Sequence, residues 1–111
     1  MERDTQVLKR CIKLFLNSYF MYDIRFSKKY TKAIKKLAKA GKVNLVDVNL
    51  AINILAAQKP LPSGYRDHKL QGEYEGYREC HIQGDLLLVY KIEKKELILL
   101  LIDIGSHSFL F

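Results

Sequence analysis

Hydrophobic positions change their period several times along the chain, and each change marks an element. From Met1 to Phe20, Val7, Leu8, Cys11, Ile12, Phe15 and Tyr19 recur at helical spacing among mixed charges. Tyr22 to Phe26 alternates as a half-buried strand does. Next comes a stretch in which Tyr30, Ala33, Ile34, Leu37 and Ala38 gather on one side of a helix, with Ser27 as its N-cap and Gly41 as its stop. A second helix is predicted over Asn44 to Gln58, ended by Pro60 and Pro62. It carries two apolar stripes, one of Leu45, Val48, Ile52 and Leu55, the other of Val46, Leu50 and Ile54. Two stripes call for two partners, and a place between the first helix and a sheet is the expectation, with a waiting binding partner as the alternative. Pro60 to Tyr74 has the composition of a loop. Strands are predicted over Gly76 to Ile82, Asp85 to Ile92 and Glu96 to Ile104, with turns at Gln83-Gly84 and Glu93-Lys94-Lys95. The last strand is apolar almost throughout, which predicts a central position buried on both faces. Strand, two helices and three strands make an α+β layer structure with the helices on one sheet face.

The length of 111 residues fits one compact domain, and a composition 49% hydrophobic and 28% charged supports a real core. The longest apolar run, Leu97 to Ile102, is far short of the roughly 20 residues needed to cross a bilayer, so no membrane association is expected. A secretory signal is not indicated either, because the N-terminal apolar stretch is broken by Lys13 and lacks a small-residue cleavage site. Cys11 and Cys80 have no CxxC spacing, which speaks against a disulfide framework or zinc site and for a reducing cytoplasm.

The formal net charge is +7, and its distribution says more than its total. Residues 1–20 contribute +2, leaving +5 on the remaining 91 residues. Arg25 to Lys42 holds eight basic residues and no acidic one. On the first helix, Lys28, Lys29, Lys32, Lys35, Lys36 and Lys39 fill an arc of roughly 120° opposite the apolar side. Solvated helix faces usually mix signs, so a face of lysines alone favours contact with a phosphate backbone, which by itself confers no sequence specificity.

The three histidines, His68, His81 and His107, all lie in the second half. Glu79 and His81 share a strand face by the period of two. If Ile82-Gln83-Gly84 forms a three-residue loop, His81 also comes opposite Asp85, whereas a two-residue loop sends them to opposite faces. Imidazoles, carboxylates and a nearby cationic helix suit acid-base cleavage of a phosphodiester: one group takes the ribose 2'-hydroxyl proton, another protonates the leaving 5'-oxygen, and cations stabilise the phosphorus oxygens. A zinc or manganese site competes on donor types but lacks HxH or HExxH spacing. A purely structural role for the loop histidines stands beside both.

Four segments, Asp67-His68-Lys69-Leu70-Gln71-Gly72, Gly76-Tyr77-Arg78-Glu79-Cys80-His81, Asp85-Leu86-Leu87-Leu88-Val89-Tyr90 and Gly105-Ser106-His107-Ser108-Phe109-Leu110-Phe111, occur in an order and spacing that resemble the YafQ branch of the RelE toxin superfamily. The resemblance runs from Met21 to Phe111 and implies a RelE-like β-α-α-β-β-β fold, with two helices packed on one face of a mostly antiparallel sheet. It implies a bacterial type II toxin that enters the ribosomal A site and cuts mRNA without a metal or other cofactor. Its partners would be a DinJ/RelB-like antitoxin, ribosomal RNA and, through the antitoxin, operator DNA. Carried over, the catalytic set is His68, Glu79, His81, Asp85, His107 and Phe111. His107 would be the general acid and His68 or Glu79 the base, while His81 and Asp85 hold geometry and Phe111 stacks on a codon base. Arg78 joins the lysines as a candidate RNA contact. The rival within the same resemblance is a non-catalytic binder, such as a gyrase inhibitor or antitoxin-binding co-repressor.

Two departures stand out. Asp103 replaces the arginine that many relatives carry before the GSH segment, placing a negative charge where a phosphate should be stabilised. Residues 1–20 have no counterpart in the family, and are either a translated leader before a start at Met21 or an extra helix.

Overall fold

A computed structural model describes residues 21–110; the expected N-terminal extension, residues 1–20, and Phe111 lie outside the described residues. Strand β1 (Asp23–Phe26) leads into helix α1 (Lys28–Lys39) through Ser27, whose hydroxyl does two jobs. It accepts from the backbone N–H of Tyr30 at 2.9 Å, capping the helix, and donates to the carbonyl of Ile102 at 2.6 Å. The helix closes on Gly41, at φ +65°, with Gly41 N–H bonded to Ala38 O and Lys42 N–H to Leu37 O. These two bonds define a Schellman cap, which a residue with a Cβ adopts only under strain.

Helix α2 (Leu45–Ala56) starts at the Asn44 cap and ends where Ala56 O accepts from Tyr22 N–H at 2.7 Å, tying its last turn to the start of β1. The loop after it contains single 3-10 turns at Ser63–Tyr65 and Gly72–Tyr74, and between them strand β2 (His68–Lys69). Strands β3 (Arg78–Gln83), β4 (Leu86–Glu93) and β5 (Ile98–Ser106) follow, and a short helix α3 (His107–Leu110) completes the order. The sheet runs β1-β5-β4-β3-β2; β1 pairs parallel with β5 and the other pairs are antiparallel.

Tyr30, Val48, Ile52 and Leu55 of the helices pack on Cys80, Leu88, Tyr90, Leu99, Leu101 and Ile104 of the sheet. At about 1.5–3 kcal/mol for each large side chain removed from water, this layer is the principal source of stability.

Three expectations are revised. The loop over 60–74 contributes a fifth strand, β2. Strand β5 is interior, between β1 and β4, but the middle strand is β4, and it is β4 whose consecutive residues Leu87, Leu88, Val89 and Tyr90 are all buried. Strand β5 alternates until Ile102, where a bulge between the Leu101–Tyr90 and Asp103–Val89 pairs adds a residue and shifts the phase. Finally, of the two stripes of α2 only Val48, Ile52 and Leu55 are buried in the core: Leu45 is 47% exposed, and Val46 and Leu50 of the other stripe 72% and 53%, so α2 is not sandwiched.

Candidate active site

The hairpin joining β3 and β4 decides which groups share the site. Gly84 takes φ +56°, as a tight turn of this kind requires, but the register pairs Gln83 with Leu86 and His81 with Leu87. Ile82 is therefore a bulged residue and Gly84-Asp85 the two-residue turn. The pairing of His81 with Asp85 that a three-residue loop would give does not form, because the extra residue is absorbed inside β3 rather than in the turn. Asp85 is exposed at the hairpin tip and lines a cleft of about 520 Å³ with Lys36, Ser106 and Phe109.

The partner of Glu79 comes from β2. His68 lies directly opposite Glu79 in the register, and its Nε2 is 3.4 Å from Glu79 Oε1. Its Nδ1 is 2.6 Å from the carbonyl of Arg66. A carbonyl can only accept, so Nδ1 carries the proton, and Nε2 is left as the nitrogen able to take one up. The His68 and His81 ring centroids are 6.5 Å apart, placing His81 beside the pair on the same sheet face. Glu79 is 6% exposed, whereas the His68 side chain is half exposed, so the imidazole is the member of the pair open to solvent. His68, Glu79 and His81 are thus brought together on the sheet face opposite the helices.

Across this face His81 is aligned with Leu87, and Leu87 with Gly105. With neighbouring strands about 4.8 Å apart, the backbone of Gly105 is about 10 Å from that of His81. His107 follows two residues later at the start of α3, exposed to solvent. Gly105 permits α3 to fold back closely: a Cβ there would lie 3.0 Å from Phe109 Cδ1. Phe111, the last member of the expected set, is outside the described residues.

All six lysines of α1 are exposed, and among the described residues only Lys29 of the six is in an ion pair. Its partner is Asp103: Lys29 Nζ is 3.3 Å from Oδ2, and Oδ1 accepts from the Ile104 N–H at 2.9 Å. The unfavourable charge that the sequence placed near the site is therefore offset locally.

Arg78 is engaged within the protein. Its Nε and Nη2 donate to the two oxygens of Asp67 at 3.3 and 3.2 Å, and Nε also donates to the Tyr90 hydroxyl, which in turn donates to Asp67. Partial burial works against the Arg78 charge, but its hydrogen bonds to Asp67 and Tyr90 prevail and hold its pKa above the ordinary value. Burial, then the bond to Asp67, raise that of Tyr90. The sequence reading did not single out Asp67 and Tyr90; the cross-strand pairing of Arg78 with Tyr90 that unites them exists only once the bulged register is known. Among the described residues, no group of three or more His, Cys, Asp and Glu could hold a metal ion.

The family model for the bacterial toxin of the type II toxin-antitoxin system, YafQ, matches residues 22–111. The chain belongs to the YafQ toxin family. The mRNA interferase toxin YafQ of Escherichia coli K12 is 37% identical over 93 residues, covering 80% of this chain and 95% of that protein. A metal-bound toxin from Helicobacter pylori superposes with a TM-score of 0.77 at 45% identity, over 82% of this chain and all of that one. YafQ in the E. coli DinJ–YafQ toxin-antitoxin complex gives 0.73 at 34% identity, over 83% of this chain and 99% of that one. The YafQ match begins one residue after Met21, where the four motif segments and the lysine helix are all included.

Proposed function

We propose that this YafQ-family chain is an endoribonuclease toxin that cuts mRNA in the ribosomal A site, works in the cytoplasm, and is held inactive by a DinJ-like antitoxin. The toxin domain is residues 21–111, with 1–20 an extension of it. The observation that carries the catalytic reading is the His68–Glu79 pair: a half-exposed imidazole with Nδ1 committed to a carbonyl and Nε2 beside a buried carboxylate.

The chemistry follows from that geometry. The ribose 2'-oxygen attacks phosphorus while its proton passes to His68 Nε2, and the imidazolium formed is stabilised by Arg66 O on one side and Glu79 on the other. The P–O5' bond breaks and His107 supplies the proton that the 5'-oxygen takes up. The products are a 2',3'-cyclic phosphate and a 5'-hydroxyl, and the substrate supplies its own nucleophile, so no metal-bound water is required. His81, beside the pair, holds the geometry of the site, and Phe111 stacks on a base; Asp85, at the exposed hairpin tip, is left without a part in it. The lysines of α1 contact phosphates of ribosomal RNA without reading sequence.

The test is a pair of RNAs presented in a programmed ribosome, one all-ribose and one with a single 2'-deoxyribose 5' of the cut. Cleavage of the first alone, equal for the full chain and for residues 21–111, is expected. Equal cutting of both RNAs would sink the 2'-hydroxyl mechanism, and no cutting of either would favour a binding role.

A further inference from the structure

We propose that Asp67, Arg78 and Tyr90 are positioning residues that clamp the β2 segment and fix the orientation and tautomer of His68; the proposal rests on the reading of His68 as the base. Strand β2 has only two residues, His68 and Lys69, too little pairing to hold its place unaided. The residue before His68 is Asp67, and its carboxylate is gripped from two directions. Tyr90, wholly buried in the core layer, donates its hydroxyl to Oδ1. Arg78 offers a two-pronged contact to both oxygens from β3, the strand on which β2 lies. Arg78 is also the residue whose backbone faces Lys69, so one residue sets both register and anchor.

On the other side of Asp67, Arg66 adopts the left-handed conformation, φ 48°, with its N–H bonded to Ser63 O at 3.0 Å. A non-glycine residue is held there only when its surroundings impose it. The consequence is that the Arg66 carbonyl meets His68 Nδ1, leaving Nε2 for Glu79 and the substrate. The core of the protein is thereby connected to the base through Tyr90, Asp67 and the Arg66–His68 contact. The guanidinium of Arg78 serves this connection rather than RNA.

The deciding experiment combines imidazole 15N spectra of the full chain with single-turnover RNA cleavage for Tyr90→Phe, Asp67→Asn, His68→Ala and the Tyr90→Phe/His68→Ala pair. In the wild type, His68 should show the tautomer protonated at Nδ1, and in Tyr90→Phe and Asp67→Asn that signature should be lost. Cleavage in these two variants should fall about 100-fold in kcat, as for a misplaced catalytic group, with KM near its wild-type value. Added to His68→Ala, Tyr90→Phe should cost nothing more, because its effect passes through His68. An unchanged Nδ1–H signature, or losses that multiply in the double variant, would overturn the clamp. If Tyr90→Phe fails to fold, Arg78→Lys, which keeps the charge but not the fork, is read in the same way. If the wild type cuts no RNA, the nuclease reading fails, and the spectra alone decide whether the clamp holds His68.

Discussion

Glu79 shows how much a single residue's role depends on a neighbour distant in sequence. The period of two correctly groups Glu79 with His81, and the structure adds His68 from β2. Nothing in local periodicity announces a strand of two residues between 3-10 turns, so the His68–Glu79 pair was legible as residues but not as a contact. Cys80, between these site residues in sequence, faces the opposite way into the core and is fully buried. Burial pushes its thiol up to about 12, with Asp67 and Glu79 adding to the effect. The folded-state value is raised, so the stabilising contribution of the neutral thiol is complete below its ordinary value of 9.0 and is lost as pH rises toward about 12. Tyr30, pushed by burial to about 12, acts in the same direction above its ordinary 10.0. The expected outcome is a urea midpoint that falls steadily from pH 9 upward, and a Cys11→Ser protein that resists alkylation at pH 8 until it is unfolded. A flat midpoint, or rapid labelling of the native protein, would show that this layer is not closed as described.

At the scale of elements, caps and turn residues fixed most boundaries. Ser27, Gly41 and Asn44 bound the helices within a residue or two of the expected limits, because capping is local chemistry. Bulges at Ile82 and Ile102 are different: each depends on how one strand meets another, and each reverses which side chains face the site beyond it. This is why local sequence left the facing of Asp85 and His81 open and why β5 read as uniformly buried. Helix α2 offers a direct test of cap energetics. It closes with the same two-bond cap as α1, Gln58 N–H to Leu55 O and Lys59 N–H to Ile54 O, but with Gln58 at φ 62° where α1 has glycine. A left-handed non-glycine residue costs about 1–2 kcal/mol, partly offset by the extra unfolded-state entropy of glycine. Gln58→Gly should therefore raise stability by about 0.5–1 kcal/mol in urea denaturation. Destabilisation would mean that the Gln58 side chain makes a contribution larger than its backbone strain.

For the whole molecule, the sheet separates two tasks. One face carries the helices and core; the other carries His68, Glu79 and His81, with His107 at the end of β5. Composition and order of elements made the layered α+β class legible, and the four motif segments made the family legible. The strand order, with β1 added in parallel beside β5, was not, since it rests on a long-range pairing. On the proposed function, the cationic helix is the surface for which an acidic antitoxin segment and ribosomal RNA would compete. The claim that unites these features is that the histidine-bearing face cleaves mRNA. Mapping mRNA ends after induction of the wild type and of His107→Ala tests it most directly. The account predicts new 5'-hydroxyl ends within coding regions and growth arrest for the wild type, with both lost in His107→Ala. Arrest without new ends, or ends and arrest unaltered by the substitution, would contradict it.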